Sequence, residues 1–589
     1  MRVGRRFAVA SAALFLAAAR AAAQAAGAGP VAPAPPTQAP AAGECHGEII
    51  SSITIEADDP PFKGATATWQ AAARALGLHH AVTRKHVIRD YLLVRPGEPC
   101  TEARRTESER VLRSLPFLAG ATVRAEPDTA GTVALFVETQ DEVPLLATGA
   151  VRHGKPAAIG FGSENIGGEG LRALASVERG FAYRTGAHLE IEDFGAFDAP
   201  VTLGFDGERR PLGGDFELDA SHPFLSNLQR TSWQASYGQR NDYVEFRRPA
   251  DDHLALPVQQ ERWAIGGGIR VDLGSSVWLL GLTGMMTSGI PAAQSVVVTD
   301  SGLAADADQL VAEHYSTFHA VHGGPLVGLR HVKYQAVTGL DALFATQDVM
   351  TGEQVGFVVA PGAVNGVGSM LLATSAYGGW TGGSSVLAAE FDGESRRDIK
   401  GGSWDSSIGS GRAAWYLRAG SRAQLQISDL FTAGSNSRLP LELDLGDPVA
   451  GVRGYYGTTF AGVRRNVVRM EGRVAHQNAV HRADVAAALF ADVGTLWAGS
   501  LPYAVSTTRS SVGVSLMTAY PTGSKRLYRI DLAIPLQRGT IGGGIAAPHA
   551  IELRFSSGDP TAAFWKEPED VVRARLTPGP TQLFTWPVR

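Results

Sequence analysis

The chain has 589 residues, of which 44% are hydrophobic, 19% are charged and 69 are glycine. Globular chains average about 25% charged residues and about 7% glycine, so this one is unusually apolar and glycine-rich. A formal net charge of −5 and a pI near 6.3 argue against a nucleic-acid partner, which a basic face would have to recruit.

Residues 1–23 have the three parts of a secretory signal. Arg2, Arg5 and Arg6 give a basic start, Phe7 to Ala19 is apolar, and Ala21-Ala22-Ala23 offers small residues for cleavage. Arg20 closes the apolar run too early for a membrane-spanning helix, and the residues around Arg5-Arg6 are a poor match to a twin-arginine signal. Residues 24–43 are mostly Ala, Pro and Gly, a composition that forms no core and predicts a flexible leader.

Residues 44–142 mix the two periodicities. Ile49, Ile53 and Ile55 predict a strand, and Trp69 to Leu78 a short helix. Thr83 is placed to cap a helix from Arg84 to about Leu93, and Thr101 another from Glu102 to about Leu115. Two strands are expected near 121–125 and 132–138, where Val133, Leu135 and Val137 alternate. Cys45 and Cys100, the two cysteines of the chain, lie in this segment. In an oxidising compartment they are compatible with one disulfide, or with two buried thiols.

From 143 to 557 the helical period disappears. Ala187, Leu189 and Ile191 alternate with His188, Glu190 and Glu192, and Tyr528, Ile530, Leu532 and Ile534 alternate with Arg529, Asp531 and Ala533. No downstream run reaches the roughly eighteen apolar residues of a membrane helix. A chain that is apolar on average without such runs must alternate, and in a membrane only a closed barrel satisfies every backbone group. A secreted sandwich or propeller shows the same alternation and stays open on composition. The gap from about Gly289 to Gly324 is expected to be a solvated loop, since Asp300, Asp306 and Asp308 lack calcium-loop spacing. His79-His80 has no third metal ligand, and the glycine runs at Gly266–Gly268 and Gly542–Gly544 lack a βαβ context. With no G-x-S-x-G elbow and no catalytic constellation, neither an enzyme nor a metal or cofactor is expected.

The most specific feature is Val452-Arg453-Gly454-Tyr455-Tyr456-Gly457, in a glycine-rich gap between two strand-like segments. Phe490-Ala491-Asp492-Val493-Gly494 follows further along the chain. In the first segment after the gap, Arg469, Glu471 and Arg473 share one face, and Val468, Met470 and Val474 share the other. In the next, Phe490, Asp492 and Gly494 oppose Leu489, Ala491 and Val493. If the apolar face meets lipid, Glu471 and Asp492 point inward.

These paired motifs resemble those of the Omp85 superfamily, of the BamA/TamA-like bacterial surface antigen kind. The resemblance implies a mainly β chain: a 16-stranded antiparallel transmembrane β-barrel preceded by one small α+β periplasmic POTRA domain. It implies that the sixth extracellular loop turns into the lumen, with Val452, Arg453, Gly454 and Tyr455 at its tip and Glu471, Phe490, Asp492 and Gly494 on the wall. Five strands are read after that loop, near 466–478, 484–497, 509–520, 526–537 and 548–556; before it the segments number between ten and fourteen, where the resemblance implies eleven. The order strand, two helices, two strands is similar to a POTRA module, and Glu164 to Gly170 is similar to the family's first hairpin.

The function implied is non-enzymatic and needs no cofactor: assembly or insertion of proteins in the bacterial outer membrane. The partners would be outer-membrane lipids and unfolded outer-membrane or secreted clients received by the POTRA domain. Alternatives are a translocation pore exporting one protein or lipid, and a surface antigen or scaffold. Oligomeric state is left open. The tail 558–589, with Trp565, Pro568 and Trp586, extends past the expected last strand, to cover the seam between first and last strands or to lie in the periplasm.

Overall fold

The structure is a computed structural model that describes residues 43–58, 81–129, 131–152, 155–179, 185–210, 213–248, 253–273, 276–299, 302–447, 449–455, 461–480, 482–537 and 551–575. The expected signal, most of the leader, the Trp69–Leu78 helix, His79-His80, Tyr456, Gly457, Gly542–Gly544 and Trp586 lie outside these residues.

The first domain contains β1 (His46–Asp58), α1 (Lys85–Asp90), β2 (Pro99–Thr101), α2 (Glu102–Ser114), β3 (Leu118–Pro127) and β4 (Thr132–Asp141). Its sheet runs β2-β1-β4-β3, with β1 parallel to β4 and the other pairs antiparallel. The inward residues of β1, β3 and β4 pack against Val87, Ile88, Val111, Leu112 and Leu115 to form one core. A disulfide joins Cys45 to Cys100 across the β1–β2 edge. Two expectations need correction. The sheet has four strands, because Pro99–Thr101 adds a short edge the alternation was too brief to show. Thr83 does not cap the first helix; its hydroxyl and amide both donate to the Asp141 carboxylate, at 2.7 and 2.8 Å. Thr101 does cap the second helix, accepting from the Arg104 amide.

The barrel begins with β5 (Leu145–Arg152), β6 (Lys155–Ile166), β7 (Leu171–Arg179), β8 (Thr185–Asp193), β9 (Thr202–Arg210) and β10 (Gly213–His222). It continues through β11 (Thr231–Arg247), β12 (His253–Leu273) and β13 (Ser276–Pro291). A hairpin of β14 (Val296–Thr299) and β15 (Gly302–Ala305) and the helix α3 (Leu310–His314) then precede β16 (Phe318–Thr338). Next come β17 (Thr346–Val364), β18 (Val367–Gly382), β19 (Ser385–Asp398), β20 (Trp404–Ala419) and β21 (Ala423–Ser435). The two-residue pair β22 (Leu443–Asp444) and β23 (Ala461–Gly462) lies in the next connection. The last staves are β24 (Arg464–Val480), β25 (Ala483–Trp497), β26 (Thr507–Ala519), β27 (Leu527–Pro535) and β28 (Glu552–Gly558). Two tail helices follow, α4 (Pro560–Trp565) and α5 (Glu569–Ala574).

Twenty of these strands are staves of one closed antiparallel barrel, in which β28 returns to pair with β5. The expected count of sixteen is therefore corrected. Five staves follow the glycine-rich connection, but fifteen rather than eleven precede it. The eleven follows from the resemblance to a sixteen-stranded barrel, whereas alternation alone allows ten to fourteen, and turn signals inside some of the longer staves blur their bounds. Gly323-Gly324-Pro325 lies inside β16 and Pro361-Gly362 inside β17, where sequence rules place breaks.

Successive residues alternate between a packed interior and an exposed apolar exterior. Phe161, Ile265, Leu282, Phe357 and Leu489 point outward from staves all around the ring, Leu282 and Leu489 being 70% exposed. Such a belt is a poor surface for water. Both ends of the barrel chain, Leu145 and Gly558, lie at one mouth, called here the near mouth. At the far mouth, the 289–324 gap is not the solvated loop expected. Val311 and Tyr315 are buried there against Phe246, Leu254, Leu256 and Leu501, while Asp306 pairs with Arg248 and Asp308 accepts from Tyr503.

Candidate functional site

The connection between β21 and β24 starts at the far rim and turns down into the lumen. Its apolar residues drive this: Leu445, Val452 and Tyr455 form a buried cluster with Val467 of β24 and Leu496 of β25. The amide of Val452 donates to Leu445 O at 2.7 Å and that of Tyr455 to Val452 O at 3.2 Å, making a tight turn. Gly454 sits at φ +93°, a conformation that L side chains rarely adopt.

At the tip, the Arg453 guanidinium makes two parallel bonds to Asp492, both 2.7 Å, and its backbone amide donates to the same carboxylate at 3.2 Å. A third arm reaches Glu471 at 3.2 Å. The guanidinium plane lies over the Phe490 ring, 3.5 Å from its centroid, so one face is packed while the edge is ion-paired. Asp492 is fully buried and Arg453 is 10% exposed. The Tyr455 hydroxyl lies 3.0 Å from Ser510 O and 3.2 Å from Gln537 O. Gly494 is a steric requirement: a Cβ there would lie 2.4 Å from Val452 Cγ2 and 2.9 Å from Leu445 Cδ2. The structure thus brings Val452, Arg453, Gly454, Tyr455, Glu471, Phe490, Asp492 and Gly494 into one site.

Three further charged side chains join these ion pairs, while Arg469 of β24 holds the loop itself, donating to Val449 O and Gly451 O at 2.8 and 2.5 Å. Glu471 also accepts from Arg473 at 2.9 Å and Arg529 at 2.6 Å, and Arg529 in turn pairs with Asp531 at 2.8 Å. Three guanidiniums therefore face three carboxylates. Arg529 and Asp531 are on the inward face of β27, and the alternation that placed Glu471 also identifies them. Arg473 extends the network downward, donating to Leu340 O and Asp341 O, both at 3.0 Å, in the near-mouth turn between β16 and β17. That turn folds inward, its Leu343 buried among Ala475, Ala486, Ala488, Met517 and Leu527. No sequence signal marked it.

The first domain is seated on the near mouth. Asn165 donates to Thr83 Oγ1, and the Arg84 amide to Gly168 O, both at 2.8 Å. Arg113 makes a two-armed pair with Asp348, at 2.8 and 3.0 Å, and Arg110 stacks over Tyr334. The described part of the tail, residues 559–575, lies against the inner wall and not over the seam. Trp565 is buried with Val386, Ala388, Ala414 and Tyr416, inward residues of the wall, and with Leu340 of the turn between β16 and β17. Val571 and Ala574 pack on Ile408, Leu441 and Leu443.

The seam is the thinnest part of the wall among the described residues. Three registered pairs join β28 to β5, from Leu553–Val151 to Phe555–Gly149, whereas seven join β27 to β28. Towards the near mouth, the Ser557 side chain both accepts from the Ala147 amide and donates to its carbonyl, where a backbone ladder would otherwise run. No cluster of metal-ligating residues occurs among the described residues.

No protein-family model and no curated protein matches the chain. Among solved structures, CdiB from Escherichia coli aligns over 95% of this chain and 99% of its own, at 13% identity and a TM-score of 0.44. CdiB from Acinetobacter baumannii aligns over 87% and 74%, at 10% identity and a TM-score of 0.40. BamA from Haemophilus ducreyi lacking POTRA domains 1–3 aligns over 87% and 84%, at 11% identity and a TM-score of 0.36.

Proposed function

We propose that the chain is an Omp85-type barrel of the bacterial outer membrane, BamA/TamA-like, that inserts proteins into that membrane without a cofactor or catalytic chemistry. The observation that carries this reading is the uneven pairing of the wall: three registered pairs at the seam between β28 and β5, beside staves β24, β25 and β27 that the Arg453 network ties together. Parting so few backbone pairs exposes two strand edges, each able to take up a client strand by main-chain hydrogen bonding. The apolar belt supports placement in a bilayer. The first domain, read as a single POTRA module in the periplasm, stands where an unfolded client would arrive, and Arg113–Asp348 ties it to the wall.

The test is depletion of the protein followed by quantitative outer-membrane proteomics. Broad loss of barrel proteins is the expected result. Loss of one secreted protein or lipid would replace this reading with export through the barrel, and an unchanged membrane would leave only a surface antigen or scaffold.

A further inference from the structure

Diameter grows with strand number, and barrels of sixteen to eighteen strands already leave an aqueous channel. A lumen walled by twenty staves must therefore be filled to be closed. Three described elements fill it: the Arg453 loop, the inward turn between β16 and β17, and the tail after β28. The first two are held by wall strands at both ends. The described part of the tail is joined to a wall strand at the near mouth, where it follows β28.

Its path runs across the lumen. Arg412 of β20 donates to the Trp565 carbonyl and Ser410 to the Glu567 carboxylate. Arg575 bonds to both Glu567 and Ser410, at 2.6 and 3.2 Å. On the opposite flank, Arg262 of β12 donates to Val572 O at 2.9 Å. Strands β12 and β20 are six staves apart in the barrel order, so the two tail helices bridge a broad arc of wall. The far end meets Leu441 and Leu443 of the Arg453 connection.

We propose that residues 559–575 are a displaceable plug that closes the lumen from the near mouth and leaves it when a polypeptide is engaged. Four features suit it to leave. Its two helices have six residues each, too short to persist once undocked. Its apolar anchors are Phe564, Trp565, Val571 and Ala574, and the rest of its hold is hydrogen bonds and an ion pair. The wall groups it would uncover, Ser410, Arg412 and Arg262, can be rehydrated. The resident is itself a peptide held through its carbonyls, two aromatic rings, one carboxylate and one guanidinium, so another segment of that character can compete for the same seat.

The inference rests on the barrel spanning a membrane, and the experiment separates the two. The full chain, a chain ending after Gly558, and the double variant Trp565→Ala with Arg575→Ala are each reconstituted in planar bilayers, with heat-modifiability confirming a folded barrel. The full chain is expected to insert and stay mostly closed, and both altered chains to show a several-fold rise in open occupancy. A synthetic peptide of residues 559–575, added on the domain side, is expected to reclose the truncated chain. Folded, inserted variants that conduct like the full chain would overturn the plug and leave the barrel intact. If the truncated chain fails to fold, the double variant decides alone. Failure of the full chain to insert would overturn the membrane reading and the plug with it.

Discussion

Replacing Arg453 with alanine strips the loop tip of its ion pairs and orphans a carboxylate. Deleting one partner of a buried pair costs about 3–5 kcal/mol, against about 0–1 for an exposed pair. The structure places this site near the upper range, because Asp492 is 0% exposed and loses both parallel bonds. Glu471 adds little to the loss, since Arg473 and Arg529 still hold it. The ring contact with Phe490 also disappears, a contribution of about 0.5–2 kcal/mol. At about 1.4 kcal/mol per factor of ten, the docked-to-undocked ratio of the loop should fall by about three to five powers of ten. Limited proteolysis of the connection between β21 and β24 reads this ratio, alongside barrel heat-modifiability. Arg453→Lys should recover only part of the protection, because an ammonium cannot make the parallel fork. Asp492→Asn should cost less in the Arg453→Ala background than in the parent, since the fork it would break is already gone. Unchanged proteolysis and heat-modifiability in Arg453→Ala would refute the lock.

Gly494→Val should expel the tip even with every charge in place, since the added Cβ would lie 2.4 Å from Val452 Cγ2; loop proteolysis as fast as in Arg453→Ala is the expected readout. Replacing Cys45 and Cys100 by alanine should destabilise the first domain by about 2–4 kcal/mol, lowering its melting transition while the barrel's heat-modifiability is retained. Acid should loosen the seat of that domain through Glu107. Burial pushes its carboxyl up, but Arg110, the Ser226 hydroxyl and the Asn227 backbone outweigh this and hold it below its ordinary value of 4.5. A depressed carboxylate contributes stability above its unfolded pKa and loses it as pH falls through the folded one. Glu107→Gln should therefore flatten the acid limb of the domain's thermal stability below about pH 4.5, and an unaltered limb would remove Glu107 from the account.

The site was more legible in the sequence than the barrel that holds it. Parity located Glu471 and Asp492 because β24 and β25 alternate cleanly, with Val468, Met470, Leu489 and Val493 all exposed outward. The same rule applied to β27 reaches Arg529 and Asp531. Stave number was harder: sixteen follows from the resemblance, and glycine and proline inside β16 and β17, where pairing with two neighbours overrides the local turn signal, keep stave bounds from being read locally. The place of the tail could not be read from periodicity. Trp565 and Arg575 announce an amphipathic segment, but whether its seat is a lumen, a seam or a membrane surface depends on residues such as Ser410 and Arg412, about 150 positions earlier. Leu343 was invisible for the same reason, its partners Ala475 and Met517 lying far along the chain.

The most direct test of the account is catalysed folding across the seam. Purified protein in liposomes is mixed with a urea-unfolded outer-membrane barrel, and the client's folding is followed by heat-modifiability. A second preparation carries Gly149→Cys with Phe555→Cys, a registered pair that bridges β5 and β28. The account predicts faster client folding with the parent chain, loss of that acceleration when the seam is cross-linked, and recovery on reduction in excess of any effect of reductant on the parent. Client folding no faster than in empty liposomes, or equally fast through a cross-linked seam, would contradict it.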